Sequence, residues 1–259
     1  MKNAFDLTGK KAVVVGGGGG IGKAIAKGLA FYGADVAISG RKAETLQAAA
    51  DMIKEETGKD IVCIAADATS EEAVKELYAK ANQALGQVDI LVNSQGYNEK
   101  HPIDEMPLEV WNGMLNTNVT SVMLTCRTFA QGMIERGYGR IINVSSIRAI
   151  RAVNQGMGNT CYSVTKAAVS MLTASLAAEW SKKGITVNAI GPAITMTPMM
   201  EKVFEANPNM KNVLQANIPM GRLGEADDNI TPVIFLASEE SAFVTGQCIY
   251  TDGGSSVII

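Results

Sequence analysis

The chain has 259 residues, 47% of them hydrophobic, and a formal net charge of −3. That length suffices for a sizeable core in one large α/β domain or two small ones, and the mild acidity argues against a nucleic acid as the main partner. Cys63, Cys126, Cys161 and Cys248 form no C-x-x-C pair, and His101 is the single histidine, so neither a disulfide framework nor a metal site is expected. The first residues carry no apolar signal region and no apolar run approaches the roughly eighteen residues of a membrane span, which predicts a cytoplasmic protein with no membrane contact.

In chain order, residues 11–15 read as a strand, 16–22 as a glycine turn and 23–30 as a helix. Residues 34–39 are a second apolar run framed by Gly33 and Gly40, and a helical pattern resumes over 42–57. A third strand spans 61–66 and ends at Asp67, after which Ser70 supplies an N-cap and Glu71 and Glu72 the early acids of a helix. The fourth strand, 88–92, ends at Asn93, and an interrupted helical region runs from Pro107 to about Arg136. Strands at 140–144 and 184–190 flank a helix over 162–181; helices over 199–216 and 226–237 and a strand at 247–250 follow. Near-continuous apolar strands alternating with helices predict a parallel sheet of about seven strands with helices on both faces. No linker divides the pattern. It reads as one α/β domain over residues 1–259, a doubly wound Rossmann fold whose crevice lies at the carboxyl ends of the strands.

The glycine turn is a phosphate cradle, because glycine allows close approach of backbone to ligand and the following helix presents free N–H groups. Its register is ambiguous from the run alone: Gly17, Gly19 and Gly22 satisfy G-x-G-x-x-G, while Gly16, Gly20 and Gly22 satisfy G-x-x-x-G-x-G. Further on, Tyr162 and Lys166 stand four residues apart and therefore on one helix face. An ammonium near a phenol favours the phenolate and makes it a usable acid or base.

Gly16-x-x-x-Gly20-Ile21-Gly22, Asn93-Ser94-Gln95-Gly96, Asn118, Ser145-Ser146, Tyr162-x-x-x-Lys166, Asn188 to Pro192 and Gly246 to Gly254 together resemble the short-chain dehydrogenase/reductase family over essentially the full length. Within it the chain is most similar to gluconate 5-dehydrogenase-like and 3-oxoacyl reductase-like members. The resemblance selects the Gly16, Gly20, Gly22 register. It implies Tyr162 as the proton donor or acceptor, Ser146 on the substrate oxygen, Lys166 on the nicotinamide ribose and depressing the tyrosine pKa, and Asn118 anchoring a water. Ile21, Ser39, Asp67, Ala68, Asn93, Gly96, Pro192, Thr195 and Thr197 are implied at the cofactor, residues 193–220 as a substrate lid, and a homotetramer as the assembly. Val15, Ser94-Gln95 and Ala193 depart from the residues usual in the family.

Ser39-Gly40-Arg41 stands where an acid would bind the ribose hydroxyls of NAD. Gly40 replaces that acid and Arg41 offers a planar fork for a 2′-phosphate, so NADP(H) is favoured with NAD(H) left open. Arg148, Arg151 and Asn154, between Ser146 and Tyr162, suit a polar or acidic substrate such as a sugar acid or polyol. Met199, in a methionine-rich stretch, suits an apolar or acyl ketone instead. A non-catalytic dinucleotide sensor is the alternative of another class.

Overall fold

Val13 and Val15 face one way, Ala12 and Val14 the other, and all four are buried. A strand buried on both faces belongs in the interior of a sheet, and in the computed structural model Lys11–Val15 is the interior strand β1. The structure describes residues 4–152, 158–197, 200–201, 204–205 and 207–258.

From β1 the chain runs through α1 (Gly20–Phe31), β2 (Asp35–Gly40), α2 (Ala43–Thr57), β3 (Ile61–Ala65) and α3 (Glu71–Leu85). It continues with β4 (Ile90–Asn93), α4 (Leu108–Leu115), α5 (Ser121–Arg136), β5 (Gly139–Val144), α6 (Thr160–Trp180) and β6 (Ile185–Ile190). Helices α7 (Pro208–Ala216) and α8 (Ile230–Ala237) and the short strand β7 (Cys248–Ile249) follow. The seven strands form one sheet in the order β3-β2-β1-β4-β5-β6-β7, every pairing parallel. Ile25 and Leu29 of α1, Leu46 and Ile53 of α2 and Val233 and Leu236 of α8 pack on one face. Leu77 of α3, Phe129 and Met133 of α5 and Val169 and Trp180 of α6 pack on the other. The winding reverses between β1 and β4, which opens a crevice beyond their carboxyl ends. Among the described residues no helix is long and apolar enough to cross a membrane.

Two departures from the expected elements have local causes. Residues 226–237 are not one helix but a 3-10 turn, Ala226–Asn229, followed by α8. Pro232 has no N–H to give the carbonyl of Asp228, and the Glu225–Asp228 capping box ties off the turn separately. The interruption in 107–136 is a π turn, Asn116–Thr120, between α4 and α5, a feature that re-aims side chains within a helix.

Beneath the crevice lies a buried polar layer. Asn93 Nδ2 donates to Asn143 Oδ1 at 2.9 Å, Thr125 Oγ1 donates to Asn93 Oδ1 at 2.7 Å, and Asn143 Nδ2 donates to Thr173 Oγ1 at 2.9 Å. These bonds link β4, β5, α5 and α6. Asn143→Ala leaves Asn93 and Thr173 with unpaired buried groups, and the expected loss is about 2–4 kcal/mol of unfolding free energy. Urea unfolding with an unchanged m-value checks it.

Candidate active site

Gly16 has φ +81°, and a Cβ there would sit 2.7 Å from the backbone of Ser94 and Gln95. A Cβ on Gly22 would lie 2.2 Å from the Gly16 carbonyl oxygen, and Gly20 has φ +49°. These three glycines are the constrained ones, in the register G-x-x-x-G-x-G. Gly17 is not permissive either, because its Cβ would press on Ile38 at 2.7 Å; only Gly19 has nothing within 4 Å. Gly19 is also the N-cap of α1 and offers no side-chain cap, so the first-turn N–H groups stay open toward the crevice.

The crevice has two adjoining hollows that share Gly19, Ser94, Gln95, Gly96, Tyr97 and Thr197. The larger, about 920 Å³, is lined by Gly16, Gly20, Gly40, Arg41, Asp67 and Ala68 on one side. Gly113, Asn116, Thr117 and Ser121 line the other. Arg41 is exposed and makes no hydrogen bond among the described residues, so its fork is available. Bonds from the Thr69 N–H and hydroxyl hold the Asp67 carboxyl below its ordinary pKa against burial, and the Arg41 charge adds to this.

The smaller hollow, about 290 Å³, is lined by Ile21, Gly22, Ser146, Tyr162, Lys166 and Pro192. Ser146 ends the run out of β5 and is anchored there: its Oγ donates to Pro192 O at 3.4 Å and accepts from Arg148 N at 3.2 Å. Burial pushes the Tyr162 phenol above its ordinary pKa; the Ser146 hydroxyl and then the Arg148 charge pull it down. Lys166 is 5% exposed, and its Nζ donates to Val144 O at 2.8 Å and lies 5.6 Å from the Tyr162 ring centroid. Burial pushes this ammonium down to about 8. The pull on the phenol therefore comes from Ser146 and Arg148 rather than from Lys166. Helical spacing sets the two side chains on one face, but a buried ammonium turns to the nearest carbonyl.

Asn118 is fully buried in the π turn. Its Nδ2 donates to Tyr97 O at 2.9 Å and Thr165 Oγ1 at 3.1 Å, and its Oδ1 accepts from Tyr97 N at 2.9 Å. Both amide protons are thus spent on tying the loop after β4 to α6, and no donor is left on the side chain for a water. A Cβ on Gly96 would come 3.2 Å from Asn118 Oδ1 and 3.5 Å from Lys166 Nζ, which shows how closely that loop covers the lysine.

Three expected cofactor residues face away from the crevice. Asn93 belongs to the polar layer, since the strand's pleat turns its side chain toward α5. Ser39 is buried and acts through its carbonyl, which accepts from Gly16 N and Gly17 N. Thr195 bridges to Gly224 and donates to Ala193 O. Arg148 is half-buried beside Tyr162, whereas Arg151 is bonded to the Ser255 carbonyl. Asn154 and Met199 lie outside the described residues. Met196, Met200 and Met210 pack on Phe204, Ile218 and Leu223. Tyr97, Thr117 and Ser121 were not legible as wall residues; Ser94-Gln95 signalled its place only as a departure in composition.

A family model described as enoyl-(acyl carrier protein) reductase matches residues 16–256. A gluconate 5-dehydrogenase of Gluconobacter oxydans (strain 621H) is 35% identical over 253 residues, 98% of this chain and 97% of its own. The chain belongs to the short-chain dehydrogenase/reductase family. An acetoacetyl-CoA reductase of Shinella zoogloeoides is 40% identical over 243 residues, covering 94% of this chain and 97% of its own. The crystal structure of a gluconate 5-dehydrogenase from Burkholderia cenocepacia J2315 in complex with NADP and tartrate matches with a TM-score of 0.91 at 31% identity. That match covers 99% of this chain and 98% of the other. As a member of this family the protein is an oxidoreductase.

The glycine geometry separates two substitutions of the same size. Gly22→Ala, driven 2.2 Å from a carbonyl oxygen, abolishes measurable dinucleotide binding, while Gly19→Ala, in open space, changes it less than about threefold. Fluorescence titration with NADPH, with far-UV circular dichroism to confirm folding, distinguishes them.

Proposed function

We propose that the protein is an NADP(H)-dependent dehydrogenase/reductase acting on a secondary alcohol or ketone that also carries a carboxylate, a sugar acid in chemical class. The observation that carries the substrate class is Arg148. Its guanidinium is half-buried beside Tyr162 and makes no hydrogen bond among the described residues, and burial and the neighbouring Arg151 charge push its pKa down. A desolvated cation without a partner is relieved by a bidentate anion. The gluconate 5-dehydrogenase structure matched above contains tartrate, a hydroxy acid, together with NADP.

The residues present fit a dinucleotide. The Gly16, Gly20, Gly22 turn leaves no room for side chains where the backbone must approach a pyrophosphate, and the first turn of α1 is open to it. Gly40 and the unpaired Arg41 fork suit a 2′-phosphate; Asp67 and Ala68 would flank the adenine, and Lys166, Pro192 and Thr197 the nicotinamide end. When bound, the nicotinamide exchanges a hydride with the substrate carbon. Tyr162 gives its phenolic proton to the carbonyl oxygen in reduction and takes the hydroxyl proton in oxidation. The Ser146 hydroxyl, held at its oxygen by Arg148 N, turns its proton to the same substrate oxygen. Lys166 is charged below about pH 8 and supplies positive potential to the smaller hollow. Asn118 positions the covering loop.

An acyl ketone is less well supported, because Met196, Met200 and Met210 pack on Phe204, Ile218 and Leu223 and line neither hollow of the crevice. A sensor without turnover would leave the Ser146, Tyr162 and Lys166 set unused. Exposed Val164 and Met171 on α6 suit self-association, consistent with a homotetramer in the cytoplasm.

Tyr162→Phe is expected to lower kcat about 10³-fold with folding unchanged; surviving turnover rejects the mechanism. Because burial holds the phenol above its ordinary value, kcat/KM for oxidation rises with pH through the alkaline range and that for reduction falls. Arg148→Met raises KM for a polyhydroxy acid by about 10- to 100-fold and leaves an uncharged polyol unaffected; activity confined to apolar ketones rejects the sugar acid. Arg41→Ala weakens NADP by about 10- to 100-fold and NAD little. A clear preference of the native enzyme for NAD in kcat/KM rejects the cofactor assignment.

A further inference from the structure

The loop after β4 and the turn before α6 meet at the rim of the smaller hollow. Asn98 lines that hollow together with Ser146, Tyr162 and Lys166, and its Nδ2 donates to Asn159 Oδ1 at 2.7 Å. The same two segments are joined again where His101 N donates to Gly158 O at 3.2 Å. Gly158 has φ +63°, and a Cβ there would come 2.8 Å from the His101 backbone, so glycine is what lets the segments lie this close. Asn159 is the N-cap of α6. An asparagine in that place ordinarily accepts from the first turn of its own helix; the Asn159 side chain caps no helix N–H and accepts from Asn98 instead.

Asn98 is thereby fixed relative to Tyr162 from two sides. Its side chain is held by Asn159, three residues before Tyr162. The residue before it, Tyr97, has its N–H and its carbonyl both bonded to the Asn118 carboxamide, which also donates to Thr165, three residues after Tyr162. What remains of the Asn98 amide is one Nδ2 proton and Oδ1, on an exposed side chain with no other hydrogen bond among the described residues. A donor beside an acceptor on one planar group complements a hydroxyl, which offers both. A carboxylate or a ketone oxygen only accepts, and would engage half of it. An amide held in place before a ligand arrives also avoids the ordering cost that a free exposed side chain would incur.

We propose that Asn98 is a specificity-determining residue for the substrate, its carboxamide held by Asn159 so as to take a hydroxyl on a carbon other than the reacting one. This rests on the reading of the smaller hollow as the reacting end of the crevice, and it adds to the carboxylate assigned to Arg148 a second, uncharged mark of a polyhydroxy acid. Asn159 is then a positioning residue, since it touches Asn98 and not the substrate. A latch that only closed the rim would affect every substrate alike, whereas a hydroxyl contact affects only substrates that carry the hydroxyl.

Steady-state kinetics of the full chain with NADP and two hydroxy acids test it: gluconate, rich in further hydroxyls, and 3-hydroxybutyrate, which has none. Asn98→Leu is expected to lower kcat/KM for gluconate about tenfold, chiefly through KM. The same variant leaves 3-hydroxybutyrate, and NADPH binding by fluorescence titration, within about twofold. Asn98→Ala serves if the leucine variant does not fold. Asn159→Ala lowers the gluconate value about threefold, and Asn159→Asp, which keeps the accepting oxygen, restores it. A native enzyme that turns over gluconate alone shows the preference in its extreme form, and the loss on gluconate at unchanged NADPH binding then decides. Unchanged gluconate kinetics, equal losses for both acids, or a native preference for 3-hydroxybutyrate overturns the role of Asn98. Native protein that binds NADPH but oxidises neither acid overturns the hydroxy-acid reading itself, and this role with it.

Discussion

The Gly16 backbone meets the Ser94 and Gln95 backbone at a distance that excludes any Cβ. This contact brings together the ends of β1 and β4, neighbouring strands separated in sequence by two strand-helix units, at the reversal of the sheet. Because two main chains touch there, the glycine turn is pinned from behind, the first turn of α1 is aimed into the crevice, and the loop after β4 is held low enough to cover Lys166. The two hollows of the crevice are therefore set by one steric constraint.

A second constraint supports the first from below. The end of β4 is held by side chains rather than by packing alone, through Asn93, Asn143, Thr125 and Thr173, all nearly inaccessible. Buried amides demand partners at defined distances, so a layer of this kind resists sliding in a way that aliphatic contacts do not. Asn118 extends the same principle upward, joining Tyr97 to Thr165, which stands three residues after Tyr162 and next to Lys166. The π turn is what points it inward. Its burial cost is met by three hydrogen bonds, and its consequence is a fixed loop over Lys166.

The electrostatics of the site follow from this closure. Tyr162 and Lys166 are both driven toward their neutral forms by burial, the phenol upward and the ammonium down to about 8. Burial brings the ammonium closer to physiological pH and moves the phenol away from it. Arg41 lines the larger hollow and Arg148 lies half-buried beside Tyr162, and neither guanidinium makes a hydrogen bond among the described residues. Positive charge is thus placed locally on a chain of formal net charge −3.

Much was settled by sequence alone. Apolar runs of the right length in alternation with helical periods require a parallel sheet buried on both faces, and the spacing Tyr162-x-x-x-Lys166 places its pair on one helix face whatever else happens, because the helical period is local. The same holds for Gly40 and Arg41 beyond β2. Tertiary structure alone decided the rest, since it depends on what lies opposite. The constraint on Gly17 comes from Ile38 across the strand pair, and the inward turn of Asn93, Ser39 and Thr195 from the pleat meeting a helix or a loop. Lys166 is directed by the Val144 carbonyl, Arg151 is taken up by Ser255, and the Gln95 amide takes its orientation from a serine 26 positions away. A hydrogen bond or a steric stop between residues distant in sequence leaves no period to read, and only the folded chain shows which partner each side chain has found.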